Sequence, residues 1–302
     1  MKKIEDGEHM QKSQLLNEFR EQMADYLEEL SGNSLDYKKK ATALNNRVDK
    51  IRETYIEGVL SENYSIDKQL EYILLVTYVS YIVMLEYRNS VWSYEYMAFS
   101  RRIGELWEPM CKLPFIYPIN ELNLYTPPNI EDVKNTLKKE IDELVSNLNI
   151  DDSDKKKLLH YYQSIWALID GGGNINLTLD LHFEQFDEFY DVDYKSGFSS
   201  NEKGNMNRLL LVASIYKSLP ELHNNLMFLR QREEENNHYL QILKRSGLWD
   251  VYCADEAYSK IYEFTGFDIK KWMNENMDWQ NDIAPEFYGY LKENDLIKYL
   301  TW

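Results

Sequence analysis

At Gly171-Gly172-Gly173 the spacing of apolar residues changes period, and that change limits the possible folds more than any other feature of the chain. From Gln11 to about Leu148 apolar residues recur in a heptad-like pattern rich in Glu, Lys and Leu, which predicts helices. Breaks are expected at Pro109, Pro114, Pro118 and Pro127-Pro128. Ser65-Ile-Asp-Lys opens a long apolar helix, and Asn129-Ile-Glu-Asp opens another, an N-cap followed by acids in the first turn. A charged turn over Asn149–Lys157 precedes a further helix through Leu168. Beyond the glycines, Asn174–Phe183 (NINLTLDLHF) and Glu188–Phe198 (EFYDVDYKSGF) alternate apolar and polar residues as strands do, predicting a hairpin or meander. Helices over Asn205–Leu219, Glu233–Ser246 and Asp255–Thr265 then alternate with strands over Asn225–Arg230 and Leu248–Cys253. The expected class is α/β (α+β), a mixed sheet flanked by helices with a large α-helical N-terminal lobe.

A chain of 302 residues can bury one large core or two smaller ones. Its 44% hydrophobic content and 24 tyrosines supply enough apolar surface for an ordered globular protein. Only two cysteines occur, Cys111 and Cys253, neither in a CxxC or Cys/His setting; this excludes a disulfide framework or zinc knuckle and fits a reducing cytoplasm. The longest uncharged apolar run, Tyr72–Leu85, falls short of the roughly 20 residues a membrane helix needs, so it predicts a buried helix and no membrane partner. The acidic start MKKIEDGEHM lacks the apolar stretch of a secretory signal. A net charge of -17 opposes binding to nucleic acid unless Lys and Arg gather in one cleft and metal ions neutralise carboxylates there.

The candidate chemistry lies between Asp180 and Lys195. Side chains two apart in a strand share a face, so Asp193 and Lys195 project together while Tyr194 points away. If the two strands pair, Asp180 comes beside Asp193, and two carboxylates sharing a site repel unless a cation lies between them. Mg²⁺ takes oxygen ligands and keeps several waters, so Asp180, Asp193, the carbonyl of Tyr194 and a phosphate oxygen would suit it. Lys195 would then orient the attacking water or stabilise negative charge in the transition state.

These residues resemble the PD-(D/E)xK nuclease superfamily, and within it the type II restriction endonucleases, over about residues 95–265. Asp180 corresponds to the first Asp of that motif and Asp193-Tyr194-Lys195 to its (D/E)xK, with Leu179 standing where the motif has Pro. Asp170, Glu184, Asp187 and Asp191 are competing acids for the first position. The family core is a helix, a three-strand meander, a crossover helix, and a further strand and helix; Arg101–Glu108 resembles its first helix, making Glu108 a candidate catalytic acid. The resemblance implies an α-helical region over 1–94, a nuclease core over 95–280 with a helical insertion at about 115–168, and a helical tail over 281–302. It also implies Mg²⁺ as cofactor, double-stranded DNA as substrate and a homodimer. Ser199, Asn201, Lys203, Asn205, Arg208 and Arg230 form the expected DNA-contacting set, since they follow the candidate catalytic strands closely.

Each of these residues has an ordinary alternative. Asp180, Asp193 and Lys195 would form a cross-strand salt bridge. Glu105 and Glu108 would pair with Arg101 and Arg102 along their helix, and the basic and amide residues would be surface charges and turns. His182 and His238 lack metal-ligand spacing and are expected to be structural. Two rival functions remain open: a repair-type nuclease of the same fold, and a non-catalytic acidic helical protein or DNA mimic, for which the -17 charge speaks directly.

Overall fold

The computed structural model describes residues 10–170, 176–198 and 203–302, with backbone alone at 168–170. In chain order its elements are α1 Lys12–Ser31, α2 Tyr37–Ser61, α3 Ile66–Val91, α4 Tyr96–Ile116, β1 Asn123–Leu124, α5 Ile130–Asn147, α6 Asp152–Asp170, β2 Leu181–Gln185, β3 Glu188–Lys195, α7 Lys203–Tyr216, β4 His223–Leu229, α8 His238–Arg245, β5 Asp250–Cys253, α9 Asp255–Thr265, α10 Ile269–Asn276, α11 Trp279–Asp282 and α12 Pro285–Glu293. The chain is mixed α/β and mostly helical. It divides into two compact units, one of Met1–Leu122 with Cys253–Trp302 and one of Asn123–Tyr252, so the boundaries fall elsewhere than after residues 94 and 280.

The first unit is helical and is built around α3. Every residue from Tyr72 to Glu86 is buried, so no face of this helix reaches solvent. With α1, α2 and α4 packed against it, burial on all sides explains why its sequence shows no polar stripe. The helix is longer than its uncharged apolar run, and by length and composition alone α3 would suffice to cross a membrane, but 89% of that apolar stretch is buried inside the protein.

Pro109 and Pro114, expected as breaks, instead lie within α4. Each removes one helical hydrogen bond. The buried face from Phe99 to Phe115, Trp107 among it, holds the helix together across them. A polar cluster ties the ends of this unit. Arg20 donates to both oxygens of Glu86, at 2.9 and 2.6 Å, and to the Asp282 carbonyl at 2.6 Å. Asp282 accepts from Lys12 at 2.7 Å and from the Tyr78 hydroxyl at 3.0 Å.

The second unit carries the sheet, with strand order β1-β2-β3-β4-β5. β2 runs antiparallel to both β1 and β3, whereas β3 and β4 are parallel. A parallel pair needs a crossover connection, and α7 lies in it. The β2–β3 turn is two residues, Phe186-Asp187, both left-handed with φ of 54° and 62°, the backbone twist that lets two adjoining strands stay in register.

Three features of this unit differ from the sequence pattern. The alternation over Asn174–Phe183 is only partly strand: residues 174 and 175 lie outside the described residues, and β2 begins at Leu181. Leu177 and Leu179 are buried without pairing, which accounts for the alternating pattern, and the Asn176 side chain accepts from the Thr178 amide and turns the chain there. β1, unmarked by any pattern because it is two residues long, pairs with β2 and makes the hairpin a three-strand meander. The helix expected over Glu233–Ser246 splits into a 3-10 turn at Glu233–Glu235 and α8, because Asn236 and Asn237 spend their side chains on the Phe198 and Tyr239 amides.

Replacing Glu86 with Ala leaves a half-buried guanidinium without its carboxylate and should cost about 2–4 kcal/mol. The urea midpoint of Glu86→Ala measures this; a midpoint equal to wild type would mean that the pair contributes nothing to the first unit.

Candidate active site

The β2–β3 register decides what the candidate residues can do together. Leu181 lies opposite Val192, the last pair of the ladder at the open end of the hairpin, and Asp180 precedes it at a bend, outside the paired residues. Asp180 Oδ2 accepts the Tyr194 amide at 2.7 Å, fixing its carboxylate against the backbone of the Asp193-Tyr194-Lys195 segment. Asp193 and Lys195 share one face of β3, as alternation requires, while Tyr194 packs on the other face against Phe228, ring centroids 5.3 Å apart. Asp193 is buried and lies 3.5 Å from the Arg208 guanidinium on α7. Lys195, partly exposed, places Nζ 5.3 Å from the Phe198 ring.

Further cations converge on the ends of the parallel pair. The Arg230 amide donates to the Lys195 carbonyl at 2.9 Å, and its guanidinium donates twice to Ser196 Oγ, at 3.0 and 2.8 Å. Lys203 is exposed at the start of α7, and Asn205 accepts from Arg208 at 3.4 Å. Ser199 and Asn201 lie outside the described residues. Glu108 belongs to the first unit, where it pairs with Lys112 at 2.5 Å; Glu105 pairs with Arg101 and Arg102. These are the helix ion pairs that four-residue spacing alone would give.

Below Asp193 on the same face lies a group the linear sequence did not single out. Asp191 is fully buried, and its carboxylate accepts from three donors: His182 Nδ1 at 2.8 Å, His223 Nδ1 at 2.7 Å and the Tyr125 hydroxyl. These partners come from β2, from β4 and from the residue after β1, so one carboxylate on β3 joins three strands and the end of a fourth through side chains. Burial disfavours the charge on Asp191, but the three hydrogen bonds outweigh it and hold the carboxyl below its ordinary value. The Tyr125 and Tyr216 hydroxyls are pushed well up, first by burial and then by the Asp191 charge, and stay protonated.

His182 Nε2 accepts the Leu179 amide at 2.9 Å. A ring nitrogen that accepts carries no proton, so His182 is neutral with its proton on Nδ1. A proline at position 179 would have no N–H and would forfeit this bond. Tyr216 of α7 covers the cluster, its ring centroid 6.0 Å from that of His182 and 5.1 Å from that of His223. The spacing of 182, 191 and 223 in sequence gives no sign of the group; only the alternation that puts Asp191 on the face of Asp193 points to it.

Among the described residues, no group of three or more His, Cys, Asp or Glu side chains is arranged to hold a metal ion. Neither a protein-family model nor a curated protein sequence matches the chain.

Because the folded-state pKa of Asp191 lies below its unfolded value, its contribution to stability is present above the ordinary carboxylate range and is lost as pH falls through the lowered folded value. Asp191→Asn should therefore be less stable than wild type by about 2–4 kcal/mol at neutral pH. The gap should begin to narrow below about pH 4, where the unfolded chain takes up the proton, and narrow further as pH falls through the lowered folded value. Thermal midpoints across that range measure it, and parallel profiles for the two proteins would refute the assignment.

Proposed function

We propose that this protein is a magnesium-dependent endonuclease of the PD-(D/E)xK type that hydrolyses double-stranded DNA, in the manner of the type II restriction enzymes. The observation that carries the reading is the hydrogen bond from the Tyr194 amide to Asp180 Oδ2, which brings that carboxylate to the segment of β3 where Asp193 and Lys195 share one face. The surrounding order supports it: a three-strand meander, a crossover helix in α7, then the parallel strand β4 and the helix α8 follow the order expected of that superfamily's core after its first helix. α5 and α6 then form a helical insertion between the first and second strands of the meander.

The donors suit a hard divalent cation. Asp180 gives one oxygen to the Tyr194 amide and would offer the other to the ion, Asp193 and the Tyr194 carbonyl of the adjoining segment would offer further oxygens, and waters would complete the shell. When bound, Mg²⁺ polarises a phosphoryl oxygen and lowers the pKa of a coordinated water. The chain's own residues do the rest. Lys195 holds its ammonium where an attacking water or the negative charge of the phosphorane is stabilised. Arg208 and Arg230, with Lys203 at the mouth of α7, offset the local acidic charge and hold the phosphate backbone. A two-fold DNA site would be met by a homodimer.

Mixed plasmid and phage DNA incubated at low salt with Mg²⁺ should give discrete fragments. EDTA and Lys195→Ala should abolish them, and Asp193→Asn should slow cleavage at least about 100-fold. Heterogeneous degradation in place of fragments would favour the repair-type enzyme. Intact DNA under all conditions would overturn the nuclease and favour the acidic interaction protein that the net charge of -17 suits.

A further inference from the structure

His182 stands between two groups with different roles: the buried Asp191 carboxylate below it and the backbone amide immediately before Asp180 above it. Its neighbours leave it little freedom. Nδ1 is held at 2.8 Å by Asp191, the ring is 6% exposed as a residue, and Tyr125 and Tyr216 lie against it with ring centroids 5.4 and 6.0 Å away. Asp191 is itself fixed from two further directions, by His223 and Tyr125. The Leu179 amide therefore donates to an acceptor whose position is set by the centre of the sheet.

That amide lies in a stretch, Asn176–Leu179, that makes no ladder bonds. Asp180 follows at a bend, and its carboxylate must reach the Tyr194 amide across the hairpin. We infer that His182, locked by Asp191, is a positioning residue: through the Leu179 amide it sets the backbone that presents Asp180 to the candidate cation site. This rests on the reading of Asp180 and Asp193 as cation ligands and gives the buried cluster a role in that site. His182 touches neither ion nor substrate. The cluster has no access to solvent from which to take part in chemistry, since Asp191, His182 and His223 are all buried.

Two substitutions of similar size separate the two ends of the ring. His182→Gln can bring its carbonyl to the Leu179 amide, where Nε2 now accepts. His182→Asn is shorter, reaching Asp191 but not Leu179. Thermal midpoints of the full chain, titrated with Mg²⁺ and with Ca²⁺, report cation binding without any requirement for turnover. Wild type should show a saturable rise. The Gln variant should reach half-saturation within about threefold of the wild-type concentration, and the Asn variant should need at least about tenfold more, the loss usual when an outer partner of a ligand is removed. Equal half-saturation for Asn, Gln and wild type would overturn the inference while leaving the cation site intact. No cation-dependent rise in wild type would instead sink the proposed nuclease, and the positioning role with it. The His182 ring in wild type gives a second measurement independent of any variant: nitrogen chemical shifts should report a neutral ring protonated on Nδ1, and a proton on Nε2 would contradict the bond to Leu179 and the inference.

Discussion

The second unit depends on one buried charge. A carboxylate taken out of water costs several kcal/mol unless its oxygens are met by donors, so Asp191 can be ionised in the middle of a sheet only where His182, His223 and Tyr125 all arrive together. That requirement fixes the relation of β2, β3 and β4 more strictly than apolar packing does. A one-residue slip of β2 would turn His182 to the other face and leave Asp191 short of a donor, and the same slip would carry Asp180 away from the Tyr194 amide.

The polar group and the candidate catalytic residues therefore share one face of one strand. Asp191, Asp193 and Lys195 follow one another at every second position of β3, from the closed interior to the partly exposed end. The environment differs at each step: three donors around the first, an arginine beside the second, an aromatic ring near the third. Depth along the strand separates the two carboxylates, the inner one holding the sheet and the outer one lying beside Arg208 of α7.

Much of this was legible in the sequence wherever local periodicity governs. The strand identity of Glu188–Lys195, the common face of Asp193 and Lys195, the all-round apolar character of α3 and the stop of α9 at Gly266 all follow from spacing or from a single residue type. What spacing does not encode is tertiary. Pro109 and Pro114 sit inside a helix because packing overrides a local penalty, and β1 has two residues because pairing with β2 sustains it. The partners of Asp191 come from positions 125, 182 and 223, which no local pattern links. His182 was expected to be structural for want of metal-ligand spacing; it is buried as that reading requires, but nothing in its flanking residues announces the bond to Leu179.

The order in which the chain is synthesised bears on the first unit in particular. α1 is bound through Lys12 and Arg20 to Asp282, about 270 residues later. At ribosomal speeds of about 5–20 residues per second, the N-terminal helix waits roughly a quarter of a minute to a minute for that partner. Residues 123–252, by contrast, are made before those last helices. The sheet can thus mature while the helical unit that brackets it in sequence is still open along the part of α3, from Tyr78 to Glu86, that meets Asp282 and Ala284.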